Sequence, residues 1–202
     1  MHKHTYLILA LLALFAAELT FYYGSTPKTT AADMTSASEP TLAIFKDAHT
    51  GITFEYPESD EGYTLTDLNT KNTPLLEKAV VLGRKRDTLA DTAAMPLESA
   101  PAIAVSVYKN TDNEALRDWV NSHRLYSNIS LKVDEPADLT IGEANAVRYT
   151  TDGLYRADNV IIAHGGNMYV LTGSYLDENA QIHKDFLSLL GTIEFIPIKT
   201  DK

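Results

Sequence analysis

Cysteine is absent from the 202 residues of this chain. The lack of thiols excludes disulfide bonds, cysteine nucleophiles, thiolate zinc sites and lipid attachment to an N-terminal cysteine. Positive charge is also scarce, since 17 Lys and Arg stand against 27 Asp and Glu and the net charge is −10. Because such a chain repels the phosphates of DNA and RNA, we expect no nucleic-acid partner.

Motifs of common catalytic and metal sites are missing as well. The sequence contains no Gly-x-Ser-x-Gly nucleophile elbow, no phosphate-binding glycine loop and no HExxH or His-x-x-x-His spacing. These patterns place a nucleophile, a phosphate cradle or a pair of metal ligands within reach of one substrate. We therefore predict no catalytic residues, no metal site and no cofactor.

The longest apolar run lies at the N-terminus, over Tyr6–Ala17, and Leu19–Tyr23 extends it beyond Glu18. A run of about 12 residues fits the apolar core of a cleaved signal peptide. The 19 residues Thr5–Tyr23 instead match the length of a membrane-spanning helix. No small-residue cleavage site directly follows, so we favour an uncleaved anchor over a cleaved signal, and both over a buried helix. Lys3 precedes the run, which predicts an extracytoplasmic domain.

The sequence divides into four parts. Residues 1–23 are the anchor or signal segment, and residues 24–40, rich in Ser, Thr, Ala and Pro, are interpreted as a flexible linker. A coil of this length spans roughly 20–25 Å, so an anchored domain stays close to the membrane surface. Residues 41–198 are predicted to form a single globular domain, and residues 199–202 a short tail.

Apolar periodicity predicts the elements of this domain. Alternation with a period of two predicts strands, most clearly in Ile52–Tyr56 and Ile103–Val107. After Thr111 the period becomes that of a helix, with Glu114 completing a capping-box pattern, and a second helix is predicted over Asp177–Leu190. Strands, a helix, hairpins and a C-terminal helix indicate an α+β fold, with a mainly antiparallel sheet covered by helices on both faces.

The segment His164–Asn167, HGGN, separates two apolar runs and allows two interpretations. It could be an oxyanion-hole loop of an enzyme or the two-residue turn of a hairpin. Gly165 and Gly166 suit a type I′ turn, and pairing Ile162 with Tyr169, or with Leu171 if the turn is shifted, buries both runs. Since the sequence has no nucleophile elbow, we predict the hairpin.

Five segments carry a resemblance to a known family. They are GITFEYP at Gly51–Pro57, ALRDW at Ala115–Trp119, IGEANA at Ile141–Ala146, YVLT at Tyr169–Thr172, and Phe186–Phe195. In these segments the sequence resembles the PsbP-like family, which includes the extrinsic photosystem II protein and many exported bacterial proteins of unknown role. The resemblance implies an α/β/α sandwich over the domain. No cofactor-binding or photosystem-binding motif carries over, so it implies no photosynthetic function.

Two kinds of residue are predicted to contact a partner. Arg84, Lys85 and Arg86 form the one basic cluster of an acidic domain, and such a cluster can contact lipid head groups or an acidic partner. A solvated strand end is the alternative. Tyr126 and Tyr155 are the aromatic residues that we expect to be exposed and available for the same contacts.

Together these features predict a function by binding. We expect a single-pass, membrane-tethered extracytoplasmic binding or accessory module that engages an envelope or membrane protein, and a secreted protein if residues 1–23 are cleaved. The alternative is a small-ligand-binding protein or hydrolase whose site no motif marks. A deep polar pocket favours the alternative, whereas a shallow surface with exposed tyrosines favours the accessory module.

Overall fold

The computed structural model describes residues 41–85 and 100–199. The predicted anchor and linker, residues 1–40, lie outside these ranges, and so does Arg86. No helix within the described ranges is long and apolar enough to cross a bilayer. The topology of residues 1–40 therefore stays a prediction.

Within the described ranges the strands form two antiparallel sheets. The small sheet has the order β1-β2-β10, and the large sheet has the order β3-β4-β5-β9-β8-β7-β6. The strands are β1 (Leu42–Asp47), β2 (Ile52–Pro57), β3 (Tyr63–Asp67), β4 (Leu76–Arg84), β5 (Ala102–Lys109), β6 (Ala137–Ile141), β7 (Ala144–Asp152), β8 (Arg156–His164), β9 (Asn167–Tyr175) and β10 (Glu194–Phe195). The helices are α1 (Leu116–Ser122), α2 (Arg124–Ser127) and α3 (Gln181–Leu190), with a 3₁₀ turn at Ile129–Leu131.

Two apolar clusters bury the large sheet. The first contains Phe186 of α3 and Val160 of β8, together with residues of the small sheet. The second contains Trp119 of α1 and Ile161 of β8. Because successive side chains of a strand point to opposite faces, the two clusters lie on opposite faces of the large sheet.

The hairpin between β8 and β9 is confirmed. His164 pairs with Asn167 and Ile162 pairs with Tyr169, as the burial of both apolar runs requires. Gly165 and Gly166 have φ values of +57° and +78°, in the left-handed region that glycine adopts without a steric penalty. The HGGN segment is therefore a tight turn.

Helix α3 packs closely against strand β9, on the face of the large sheet that carries the first apolar cluster. A β-carbon at Gly173 of β9 would overlap the ring of Phe186. The glycine therefore lets the helix lie against the strand, and Ile182, Phe186 and Leu189 of the helix are buried.

Both predicted helix starts are wrong. Helix α1 begins at Leu116, and no side chain caps it. The polar atoms of Asn110 instead bond the backbone of Glu114, which forms a local loop before the helix. Helix α3 begins four residues later than predicted, because the carboxylate of Asp177 accepts the N–H of Asn179 at 2.6 Å in a separate turn. Polar side chains that suit helix caps suit such turns equally well.

Candidate functional site

The two ends of the large sheet differ in what surrounds them. One end carries the β8–β9 hairpin and the last residues of β5, since Lys109 pairs with Asn167. The other carries the β7–β8 connection and the end of β9, since Arg156 pairs with both Asp152 and Tyr175. Each end gathers loops from distant parts of the sequence.

A cleft of about 700 Å³ opens at the hairpin end. This volume is within the range of small-molecule sites. We call this cavity the cleft. The residues that line it are His49, Thr50, Glu77, Lys109, Asn110, Thr111, Gly165, Gly166, Asn167, Ile198 and Lys199.

The turn between β1 and β2 forms part of the cleft. The N–H of His49 donates to the carboxylate of Asp47 at 2.9 Å, and the N–H of Gly51 donates to the Asp47 carbonyl at 2.8 Å. The hydroxyl of Tyr169 donates to the carbonyl of Thr50 at 2.6 Å. These bonds hold the turn against β9 of the large sheet.

Backbone hydrogen bonds join the remaining segments of the cleft. The N–H of Asn110 donates to the carbonyl of Gly166 at 2.9 Å, which ties the end of β5 to the hairpin. The N–H of Lys199 donates to the carbonyl of Ala48 at 2.9 Å, which ties the C-terminal segment to the β1–β2 turn. Backbone contacts therefore join the segments of the cleft, whereas the side chains of Asn110, His49 and Glu77 have partners of their own.

The cleft carries positive charge in an acidic protein. The Nε2 atom of His49 lies 3.1 Å from the carboxylate of Glu77, so this carboxylate already has a partner. Lys109 and Lys199 are exposed and have no ion-pair partner among the described residues. The cleft can therefore attract a negatively charged group.

The opposite end of the sheet exposes aliphatic side chains. Leu131, Leu154 and Leu176 are 51%, 64% and 78% exposed. The Cδ1 atom of Leu131 lies 3.8 Å from the position that a β-carbon at Gly153 would take, in the same turn as Leu154. The strand register places Tyr155 beside Leu176, one position beyond the last β8–β9 pair. We call Leu131, Leu154, Tyr155 and Leu176 the apolar end.

A buried carboxylate lies beneath the apolar end. The Asp158 side chain is 2% exposed and forms an ion pair with Arg148. It also contacts Nε2 of His183 at 3.1 Å, the hydroxyl of Thr150 at 3.1 Å and that of Tyr175 at 3.3 Å. The cluster joins strands β7, β8 and β9 to helix α3.

The partners of Asp158 decide its ionisation. Burial by itself raises the pKa of the carboxyl. Hydrogen bonds and charge from His183, Arg148 and Thr150 together lower the pKa by more than burial raises it, so the pKa lies below its usual range. Burial together with the negative charge of Asp158 raises the pKa of Tyr175 to about 12. The carboxylate is thus charged at neutral pH and the phenol is not.

The residues predicted to contact a partner are not brought together. Arg84 is half-buried at the end of β4, and its Nε has no hydrogen-bond partner within the described part of the chain. The ammonium of Lys85 donates to the carbonyl of Glu58 at 2.9 Å. Tyr126 is half-buried and stacks on Tyr108 at 4.6 Å, near the cleft end of β5. Tyr155 lies at the apolar end and is also half-buried, so neither tyrosine is as exposed as predicted.

Sequence reasoning found neither the cleft nor the buried carboxylate. The lining of the cleft comes from five separate stretches of sequence, and only the glycine pair marked one of them. The carboxylate had a local signal, because Asp158 and Asn159 are polar residues next to the apolar run Val160–Ala163. A polar residue in a buried strand requires a hydrogen-bonding partner.

The histidines serve packing and hydrogen bonding. His123 stacks on Trp119 at 4.7 Å, and its Nδ1 lies 2.9 Å from the hydroxyl of Ser122. His164 stacks on Phe195 at 4.1 Å. In residues 41–85 and 100–199, no three His, Asp or Glu side chains converge as metal ligands would.

Comparison with known proteins identifies the fold. No family model and no curated protein matches the chain. A similar solved structure is the solution structure of cyanobacterial PsbP (CyanoP) from Synechocystis sp. PCC 6803, with 11% sequence identity and a TM-score of 0.52. The match covers 82% of this chain and 98% of that one. The prediction of a PsbP-like fold, mainly antiparallel sheet with a few helices, is therefore confirmed, and at this identity the likeness concerns the fold alone.

Proposed function

We propose that this protein is a membrane-tethered, extracytoplasmic binding or accessory module that engages an envelope or membrane protein through its apolar end. The observation that carries the proposal is the group of exposed leucines beside Tyr155. Clustered exposed aliphatic side chains are typical of interaction surfaces. The fully partnered Asp158 beneath them favours a rigid surface, which lowers the entropy cost of binding.

The charges around the apolar end indicate the chemistry of the partner. Asp152 and Asp177 are exposed there and form no ion pair within the described ranges, whereas Arg156 is paired with Glu178 at 2.8 Å. An apolar surface with an acidic rim is complementary to a protein surface that is apolar and basic. Anionic lipid head groups suit it poorly, because like charges repel.

The sequence supports the tether. The anchor of residues 1–23 and the linker of residues 24–40 would keep the domain within roughly 20–25 Å of the bilayer. Confinement near the membrane raises the local concentration of the domain around membrane partners without any new contact. Arg84, Lys85 and Arg86 would add little, because each basic side chain near an anionic surface contributes only about 1 kcal/mol.

The proposal includes the complete three-layer arrangement, with helices on both faces of the large sheet. The presence of α3 residues in one apolar cluster and α1 residues in the other supports it. In this arrangement the two ends of the sheet are the places left for binding, since its faces are covered.

Cross-linking in the native membrane tests the partner. We expect the full-length protein to cross-link to a protein, and the double variant Leu154→Asp/Leu176→Asp to lower the yield at least tenfold. Ile44→Asp, at an equally exposed position on β1, is the matched control and should keep the yield of the natural protein. Loss of cross-linking in the control as well, or no protein partner together with turnover of a small molecule, contradicts the proposal.

Intact mass tests the tether. Protein from the membrane fraction should have the full mass of 22.3 kDa, because no strong cleavage site follows the apolar run. A mature N-terminus at Asp33, with the protein in the soluble extracytoplasmic fraction, would replace the anchor with a cleaved signal.

A further inference from the structure

Unpaired cations surround the cleft at the hairpin end. Lys109 and Lys199 come from segments 90 positions apart in the sequence, yet both line one cavity. Elsewhere in the described part, Lys78 is paired with Asp67 and Lys132 with Glu135. Lys109 and Lys199 lack such partners among the described residues, as Lys46, Lys71 and Lys184 also do, so the pair is distinguished by lining one cavity. Their charge is therefore available to a ligand.

The hairpin turn adds backbone donors to the same cavity. The N–H groups of Gly165 and Gly166 donate to no acceptor among the described residues. The space beside Gly166 is open, since a β-carbon there would meet no atom within 4 Å. Successive free N–H groups of a turn form concavities that bind anions.

We propose that the cleft binds the carboxylate or phosphate group of a small anionic ligand. Two ammonium groups supply charge, the N–H groups of two lining glycines are unpaired among the described residues, and the volume of about 700 Å³ admits a small molecule. The site is separate from the apolar end and goes beyond the proposed partner binding. Each proposal can therefore fail without the other.

Titration of the full-length protein in detergent micelles tests the site. The probes are inorganic phosphate and succinate, added at constant ionic strength maintained with chloride, and the amide resonances of Gly165 and Gly166 are followed by NMR. We expect saturating shifts of both resonances, and the tighter of the two probes identifies the anion class. No saturation with either probe, or equal shifts with chloride alone, overturns the proposal.

Charge inversion tests which residues hold the anion. The double variant Lys109→Glu/Lys199→Glu should weaken binding at least tenfold, whereas Lys184→Glu, on the exposed side of α3, should weaken it less than twofold. Equal weakening by Lys184→Glu would mean that general charge, and not the cleft, attracts the anion, and would overturn the proposal.

Discussion

The two ends of the large sheet differ in how tightly the residues around the strand ends are packed. At the apolar end, Asp158 is buried and held by Arg148, His183, Thr150 and Tyr175. At the cleft, tight turns and backbone hydrogen bonds join the segments and leave a cavity. A buried charge requires hydrogen-bonding and charged partners on all sides, so the residues around it are packed without a cavity. Glycine turns impose no such demand.

The ends also differ in charge. The apolar end has unpaired carboxylates at its rim, whereas the cleft has unpaired lysines. A net charge of −10 excludes nucleic acid as a general partner but says little about a local site. The distribution of paired and unpaired charges, which depends on tertiary contacts, determines what each end can bind.

Removal of the buried carboxylate should have the largest effect. Asp158→Ala leaves Arg148 and His183 without their partner, and we expect a loss of about 3–5 kcal/mol in the free energy of unfolding. Asp138→Ala is the matched control, because Asp138 also pairs with an arginine but is 73% exposed. The control should lose less than about 1 kcal/mol. Chemical denaturation measures both, and equal losses would contradict the assigned role of Asp158.

The pH dependence of stability tests the role of the buried Asp158 carboxylate in a second way. The pKa of Asp158 is lower in the folded protein than in the unfolded chain, because its partners outweigh the effect of burial. Its contribution to stability is therefore present above the unfolded pKa of about 3.9 and is lost as the pH falls through the folded pKa. The difference in unfolding free energy between the natural protein and Asp158→Asn should shrink below about pH 4. A difference that grows on acidification would contradict this sign.

Backbone strain should dominate at the cleft. Replacing Gly165 and Gly166 with valine forces two β-branched residues into the left-handed region, and we expect a loss of more than about 1–2 kcal/mol. Gly153→Val at the apolar end is the control, since its φ lies outside that region and a β-carbon there would make only ordinary van der Waals contacts. His164→Ala should also change stability little. Thermal unfolding measures these effects, and a double glycine variant as stable as Gly153→Val would refute the strained turn.

The smallest effect is expected at the unpartnered hydroxyl of the cleft. Thr50→Val removes no hydrogen bond of its Oγ1 in the described structure, so stability should change by less than about 0.5 kcal/mol. Thr150→Val at the other end removes a bond to the charged Asp158 and should cost about 1–3 kcal/mol. The two variants make the same chemical change. A large loss in Thr50→Val would show that this hydroxyl has a partner in solution.

Much of the fold followed from local patterns. The alternation in β5 predicted that Ile103, Val105 and Val107 share a buried face, and all three are buried, together with Tyr108, which the alternation did not predict. The glycine pair after His164 predicted the hairpin and left two registers open, of which the structure has the pairing of Ile162 with Tyr169. The helix starts were predicted wrongly, because Thr111 and Asp177 fit both caps and turns and the choice depends on neighbouring elements. The separate small sheet was also not predicted, since short strands carry no signal of which sheet they join.

The sequence alone was sufficient to predict those features whose physical cause lies within one short segment of the chain. Strand alternation, glycine turns and the absence of thiols are properties of neighbouring residues, so they determined the class of fold and excluded several chemistries. The two ends depended on the tertiary structure. Thr50, Lys109 and Lys199 meet at the cleft because the β1–β2 turn, β5 and the C-terminal segment are hydrogen-bonded around one hairpin. No local pattern records contacts across such separations, and therefore the chemistry of each end was decided by packing.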